Sequence, residues 1–138
     1  MDVVELGDAD EEPVVALWRG GNITRPCNSP AIDDSRAVSG PTSAVMGVRD
    51  AGEIVGTVMV AHDGHRGWAH YLAVHRDHRR RGYGTLLVSA AEAQMRCQGT
   101  PKVQLMVRSE NAGVLDFYQG RGYEKDDVRE LSRWPQDS

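Results

Sequence analysis

Residues 74–87 read Val-His-Arg-Asp-His-Arg-Arg-Arg-Gly-Tyr-Gly-Thr-Leu-Leu, and this stretch organises the interpretation of the whole chain. The apolar residues 71–74 have the character of a buried strand, and the apolar residues 86–88 and 90–91 have helical spacing. The stretch is therefore predicted to turn from a strand into a helix. Gly82 and Gly84 would let the backbone approach a ligand closely, and the amides that open a helix have no partner within it. Such a turn is suited to binding phosphate.

The residues around these glycines strengthen the phosphate interpretation. Three arginines, at positions 79–81, stand directly before Gly82 and add positive charge in a chain that is otherwise acidic. The pattern differs from a P-loop, because Gly84 is followed by Thr85 where a lysine is needed. It also differs from a dinucleotide fingerprint, which would need a third glycine where Leu87 stands. The alternative interpretation is a plain surface turn with a solvated basic cluster.

Length and composition predict one globular domain covering residues 1–138. The 138 residues have a mass of 15.2 kDa, with 40% hydrophobic and 26% charged residues. A net charge of −4 argues against nonspecific nucleic-acid binding as the main role. No apolar run is long enough to span a membrane, and the N-terminus lacks the features of a signal peptide. With Cys27 and Cys97 far apart, reduced thiols and a cytoplasmic location are expected.

The order of apolar runs and turns predicts an α/β chain with a mixed sheet. A first strand at residues 3–6 precedes a helix with Asp8 as its N-cap. Residues 22–30 contain two prolines and are predicted to lack regular structure, with a short helix after them. Further elements are two hairpins over residues 44–74, a helix to about 98, a parallel strand at 103–107, a helix after Ser109 or Asn111, and a final strand at 123–131.

The pattern Arg79-x-x-Gly82-x-Gly84 after a strand resembles the acyl-CoA pyrophosphate loop of the Gcn5-related N-acetyltransferases, the GNAT superfamily. A second resemblance to this superfamily lies near the C-terminus. It consists of Asn111, Phe117, Tyr118, Gly122 and Tyr123, with departures from the family pattern at Val114 and Gly120. Several short stretches also resemble the small bacterial YpeA-like branch of the superfamily. They are Leu17-Trp18, Arg25-Pro26, Asn28, Pro30, Asp63-Gly64-His65-Arg66-Gly67 and Pro101-Lys102-Val103-Gln104.

The resemblance implies the GNAT fold, with about six to seven strands, an antiparallel first half, one splayed parallel pair and about four helices. It implies acetyl-CoA as cosubstrate and an amine as acceptor, and it leaves open whether the chain forms a homodimer. The residues that it implies for acetyl-CoA are Leu72, Ala73, Val74, Arg79, Arg80, Arg81, Gly82, Tyr83, Gly84, Thr85, Asn111 and Tyr118. Those that it implies for the acceptor wall are Trp18, Arg25 and Asn28, although Trp18 also reads as a core residue and Arg25 as a surface charge.

Two residues are candidates for proton transfer. Tyr118 stands where the family places a hydroxyl near the sulfur, and a phenol can donate to a departing thiolate. His70 stands where the arylalkylamine N-acetyltransferases carry a histidine assigned to proton removal, whereas Trp68 replaces the glutamate of histone-modifying relatives. An imidazole suits a base near neutral pH. The alternatives are a packing tyrosine, a structural strand histidine, and an ordered water relay in place of His70 as the base.

Other classes of function remain open from the residues alone. A non-catalytic acyl-CoA-binding sensor would need the same loop, and a nucleic-acid-binding module would use residues 75–81 as a basic stripe. The five histidines lack metal-site spacing, so no metal is predicted. The acidic residues that could receive a cationic amine are scattered, so a small-molecule amine, a peptide N-terminus and a protein lysine all remain candidates. They are Asp33, Asp34, Asp63 and Glu130.

Overall fold

The computed structural model describes residues 2–20, 29–107, 111–133 and 135. The chain divides into two compact units, Met1–Met106 and Val107–Ser138. No helix within the described ranges is long and apolar enough to cross a membrane.

One five-stranded sheet forms the centre of the first unit, with the strands in chain order. Its strands are β1 (Val3–Glu5), β2 (Ser43–Asp50), β3 (Glu53–His62), β4 (Gly67–Val74) and β5 (Val103–Leu105). The first four strands pair antiparallel, and β5 runs parallel to β4, as predicted. The turn between β2 and β3 has positive φ at both Ala51 and Gly52, which matches the right-handed twist of a tight hairpin.

Three helices pack against the two faces of this sheet. They are α1 (Glu11–Gly20), α2 (Pro30–Ser39) and α3 (Tyr83–Cys97). Ala44 and Val45 are neighbours on β2 but belong to different buried clusters, because successive strand residues point to opposite faces. The cluster with Val45 contains residues of α1 and α2, including Trp18, and the cluster with Ala44 contains residues of α3. The sheet therefore separates the first two helices from the third.

A β-bulge interrupts β4 near its middle. Thr57 pairs with Ala73 and Met59 pairs with His70, so one residue of β3 lies opposite two residues of β4. Tyr71, one of those two, has a φ of 51°, a left-handed conformation that is costly for a residue with a side chain. The bulge changes which face of the sheet the following side chains occupy.

The starts of α1 and α2 differ from the prediction. Asp8 is not the cap; Asp10 Oδ2 instead accepts a hydrogen bond from the Gly7 amide at 3.0 Å, and a 3₁₀ turn at Asp8–Asp10 precedes α1. Helix α2 begins at Pro30 within the segment predicted to be irregular. Proline is tolerated at the first helical position, and Ser29 Oγ accepts from the Ile32 amide at 3.4 Å.

The second unit contains α4 (Ala112–Gln119). Of the two predicted caps, Asn111 is the one observed, since its Oδ1 accepts from the Val114 amide at 3.3 Å; Ser109 lies outside the described residues. The predicted strand at 123–131 is wrong for the residues that are described, and the sheet has five strands rather than six or seven. Residues 124–130 are charged at every position except Val128, so they offer no apolar face for a strand to bury.

Candidate functional site

The turn from β4 into α3 contains the phosphate loop, which we define as residues 79–85. Gly82 is the N-cap of α3 with a φ of 83°, and Arg80, two residues earlier, has a φ of 65°. A side-chain carbon added at Gly82 would meet nothing within 4 Å, so the space before the helix is open. The first-turn amides of a helix have no acceptor within it and lie at the positive end of its dipole. The loop thus combines the backbone geometry and the open space that an anion needs.

The three predicted arginines surround this helix start. All three side chains are exposed, and Arg79 Nε donates to the carbonyl of Val74 at 3.2 Å. Arg81 Nη1 lies 3.8 Å from Asp50 Oδ2. Three guanidinium groups at the N-terminus of a helix create a strongly positive position on an acidic protein.

The pairing of the parallel strands ends before β4 reaches the loop. Within the described residues, β5 pairs with Gly67, Trp68 and Ala69, whereas β4 continues to Val74. The predicted cosubstrate residues Leu72, Ala73 and Val74 all lie in this part of β4 beyond its pairing with β5. Ala73 is buried in the cluster with Trp18, so only its backbone is available to a ligand. An unpaired strand edge offers backbone groups to an extended ligand such as a pantetheine arm.

His70 lies on β4 just before the bulge. Its ring is parallel to that of Trp68, with an interplanar angle of 3° and centroids 6.3 Å apart, and the Trp68 indole N–H donates to Asp63 Oδ2 at 3.4 Å. Burial lowers the pKa of the His70 imidazole below its ordinary value of 6.5, and the charge of Asp33 opposes this shift. His70 is therefore neutral at pH 7 and able to accept a proton.

Tyr71 links β4 to both α1 and α2. Its hydroxyl donates to Asp33 Oδ2 at 2.7 Å, and its ring stacks on Trp18 with centroids 4.0 Å apart. The Trp18 indole N–H donates in turn to Thr57 Oγ1 at 2.8 Å, and Thr57 Oγ1 donates to the Tyr71 carbonyl at 3.4 Å. These contacts hold Tyr71 in its left-handed conformation and place Asp33 on the side of β4 that carries His70. We call His70, Tyr71, Trp68 and Asp33 the acceptor face.

The acceptor-wall residues predicted from the sequence are only partly described. Trp18 has an exposed fraction of 0%, so it is a core residue, the second of the two interpretations given from the sequence. Arg25 and Asn28 lie outside the described residues. Tyr71 and Thr57 were missed because their partners lie 38 and 39 positions away, a distance over which a local pattern carries no signal.

The predicted residues Asn111 and Tyr118 lie in the second unit. The Asn111 side chain caps α4, and Tyr118 is buried between Phe117 and Tyr123, with ring centroids 5.3 and 5.4 Å away. Burial raises the pKa of Tyr118 to about 12. Its hydroxyl therefore keeps its proton throughout the neutral range and is available as a donor.

In the part of the chain that the structure describes, no group of three or more His, Cys, Asp or Glu side chains is arranged to hold a metal ion.

Comparison with known proteins identifies the family. The Acetyltransferase (GNAT) family matches residues 13–123. An acetyltransferase from Sodalis glossinidius is 40% identical over 127 residues, covering 92% of this chain and 89% of the relative. Among solved structures, AAC(6')-Iy in complex with the bisubstrate analogue CoA-S-monomethyl-acetylneamine has a TM-score of 0.83 at 14% identity, over 98% of both chains. A ribosomal-protein-alanine N-acetyltransferase from Brucella melitensis has a TM-score of 0.78 at 20% identity, over 96% of this chain and 99% of the neighbour.

The two structures, at these identities, support the fold, and the family match with the 40% identical relative establishes the ancestry. The GNAT fold and the acetyl-CoA cosubstrate implied by the resemblance are thereby confirmed, and an enzyme is supported over the non-catalytic sensor and the nucleic-acid module. The chain belongs to the GNAT family of acetyltransferases, and it transfers an acetyl group from acetyl-CoA.

Proposed function

We propose that the acetyl acceptor is a primary amine, carried by a small molecule or by a peptide or protein, and that the acceptor face receives it. The observation that carries this proposal is the neutral, half-buried imidazole of His70, which lies close enough to the carboxylate of Asp33 for that charge to act on its pKa. An amine arrives mostly as an ammonium ion, which a carboxylate attracts, and it must lose a proton before it attacks a carbonyl carbon. The acceptor face offers one group for each of these two steps.

Acetyl-CoA supplies the thioester, and the phosphate loop is our candidate for holding its pyrophosphate. The amides that open α3 would donate hydrogen bonds to the two phosphate groups, with the guanidinium groups of Arg79, Arg80 and Arg81 adding charge. The unpaired edge of β4 at residues 72–74 would hold the pantetheine arm through backbone groups. An amide of the same edge is suited to stabilise negative charge on the thioester oxygen.

Tyr118 has a more limited role in this proposal than full proton transfer. A thiol with a pKa near that of cysteine, about 8.5, is a much stronger acid than a phenol at about 12. Moving a whole proton from Tyr118 to a thiolate is therefore uphill. A hydrogen bond from the hydroxyl to the departing sulfur, with solvent supplying the proton afterwards, fits these values.

Amines of very different size are candidates for the acceptor. The names of the two structural neighbours refer to an acetylneamine analogue and to a ribosomal-protein alanine, which differ greatly in size. We include both kinds of amine among the candidates. A cytoplasmic location stays a prediction.

A panel of acceptors tests the proposal. Release of free thiol from acetyl-CoA would be measured with small polyamines, an aminoglycoside, a peptide with an N-terminal alanine and a lysine peptide whose N-terminus is blocked. We expect at least one amine to raise thiol release well above the buffer rate. The proposal would be contradicted if only hydroxyl or thiol acceptors raised thiol release, or if none of the amines did.

With that amine, Tyr118→Phe should lower the single-turnover rate roughly 10²-fold, because it removes a donor that acts on developing charge. Binding of acetyl-CoA should change little. Tyr123→Phe is the matched control, since it removes a hydroxyl from the same aromatic group. A wild-type rate in Tyr118→Phe would show that the hydroxyl has no part in the reaction.

A further inference from the structure

Asp50, the last residue of β2, reaches the phosphate loop with one carboxylate oxygen. The Tyr83 hydroxyl donates to Asp50 Oδ2 at 3.2 Å, and Arg81 Nη1 lies 3.8 Å from the same oxygen. His78 Nδ1 lies 3.4 Å from it as well. Three residues of the strand-to-helix turn therefore meet at a single atom of the β2–β3 hairpin, which precedes them by about thirty positions in the chain.

Each contact fixes a different part of the loop. Tyr83 is the first residue of α3, and its buried ring belongs to a cluster with Val48 and Val55. Its bond to Asp50 therefore ties the start of the helix to the hairpin. Arg81 keeps 56% of its side chain exposed beside Asp50, and a guanidinium has five N–H donors. The contact with Asp50 thus restricts the guanidinium while leaving donors that face solvent.

The loop needs such restraint because of its backbone. Arg80 and Gly82 both have left-handed φ values, and this conformation is unfavourable for the side-chain-bearing Arg80. One tether, from Arg79 Nε to the Val74 carbonyl, lies before this pair. The Asp50 contacts with Arg81 and Tyr83 follow Arg80 in the chain. The strained residue, Arg80, therefore lies between the two tethers.

We infer that Asp50 is a positioning residue for acetyl-CoA, holding Arg81 and the first turn of α3 in the orientation that binds the pyrophosphate. The inference rests on the proposed assignment of residues 79–85 to phosphate binding. A carboxylate near an anion site also repels the anion, so the two effects oppose each other. We expect the positioning effect to outweigh the repulsion, because Asp50 contacts both Arg81 and Tyr83 and a ligand binds more tightly to donors that are already aligned.

The test compares two ligands, CoA and pantetheine, the second of which lacks the pyrophosphate and the nucleotide. Dissociation constants would be measured by calorimetry for CoA and by NMR titration for pantetheine. In Asp50→Asn we expect the dissociation constant of CoA to rise roughly ten-fold, as for loss of an aligned charged contact, with that of pantetheine unchanged. Asparagine can still accept from Tyr83, so the helix start is retained.

Glu53→Gln is the matched control, because Glu53 pairs with Asp50 across the same turn and loses the same charge. It should bind CoA like the wild type. Tyr83→Phe, which removes only the hydroxyl contact, is the second variant and should weaken CoA binding in the same direction. An unchanged or smaller dissociation constant for CoA in Asp50→Asn, or an equal rise for pantetheine, overturns the inference.

A third variant, Gly82→Val, alters the phosphate loop itself and separates a failure of the loop assignment from a failure of the Asp50 inference. If it leaves CoA affinity unchanged, the phosphate assignment fails and the inference fails with it. If it weakens CoA binding while Asp50→Asn and Tyr83→Phe do not, the loop assignment stands and only the positioning role of Asp50 is wrong.

Discussion

The phosphate loop follows the end of β4 and the acceptor face is centred near the middle of that strand, but the two are assembled differently. The loop draws its chemistry from consecutive residues, the arginines at 79–81 and the glycines that open α3. The acceptor face joins His70 and Tyr71 of β4 to Asp33 of α2 and, through Tyr71, to Trp18 of α1. In our proposal a common, charged cosubstrate binds to a local motif, whereas the acceptor binds to side chains from separate elements. Substitutions in the two regions should therefore affect different steps.

The largest effect is expected on the acceptor face, from His70→Gln. Loss of a positioned base should lower turnover roughly 10²- to 10⁴-fold, with little change in CoA affinity. The wild-type rate should fall as the pH drops through the pKa of His70, which burial places below 6.5, because the protonated imidazole cannot accept a proton. The variant should lack this acid limb in its pH–rate profile.

His65→Gln, an exposed histidine in the turn before β4, is the control for this experiment. If His70→Gln kept its turnover and weakened CoA binding instead, the functional distinction between the two regions would be broken.

Asp33→Asn tests whether Asp33 acts on His70 within the acceptor face. Because Asp33 raises the pKa of His70, its removal should move the acid limb to lower pH.

A smaller but still large effect is expected in the loop, from Gly82→Val. The valine would strain a backbone with φ of 83° and fill the open space before the helix. CoA affinity should fall roughly 100-fold, the equivalent of about two lost hydrogen bonds to a charged ligand. Gly99→Val is the control, since Gly99 lies just past the other end of α3 with a φ of 75° and equally open space. Equal losses in both variants would mean that helix strain, rather than the ligand site, is responsible.

The smallest effect concerns stability alone and comes from Asp34, which follows Asp33 on α2. Its side chain is only 1% exposed, and among the described residues neither of its carboxylate oxygens has a hydrogen-bond partner. Burial, followed by the charges of Glu11, Asp8 and Asp10, raises the pKa of Asp34 from 3.8 to about 6.

This shift costs stability as the pH rises. Below about 4 the carboxyl is protonated in both states; between about 4 and 6 it ionises in the unfolded chain first, so folding is progressively disfavoured. Above about 6 the cost is complete, at most about 3 kcal/mol. Asp34→Asn should therefore raise the free energy of unfolding more at pH 8 than at pH 4, as measured by denaturant titration. The exposed Glu12→Gln should show no such pH-dependent gain, and equal gains for Asp34→Asn at both pH values would contradict the account.

The sequence predicted most of the order of elements and the strand-to-helix turn that carries the proposed cosubstrate residues. The hairpin turns, the start of α3 at Gly82 and the cap of α4 at Asn111 each follow from residues within one turn of the chain. The start of α2 was predicted too late in the chain, which shows the limit of local patterns. A proline breaks a helix interior but is also favourable at the first helical position, where Pro30 lies. Residues 123–131 show a second limit. A strand was predicted there because the family pattern continues, but these residues have no apolar face for a strand to bury.

What the sequence by itself determined is the strand-to-helix loop, because glycine conformation, helix-end amides and adjacent charge act over a few residues. Only the tertiary structure decided the bulge at Tyr71, the burial of Trp18 against it, the approach of Asp33 and the tether from Asp50 to Arg81 and Tyr83. The side-chain contacts join residues about thirty to about fifty positions apart, and they depend on strand register. A single inserted residue in β4 moves the following side chains to the other face of the sheet, and no local pattern specifies where the insertion falls.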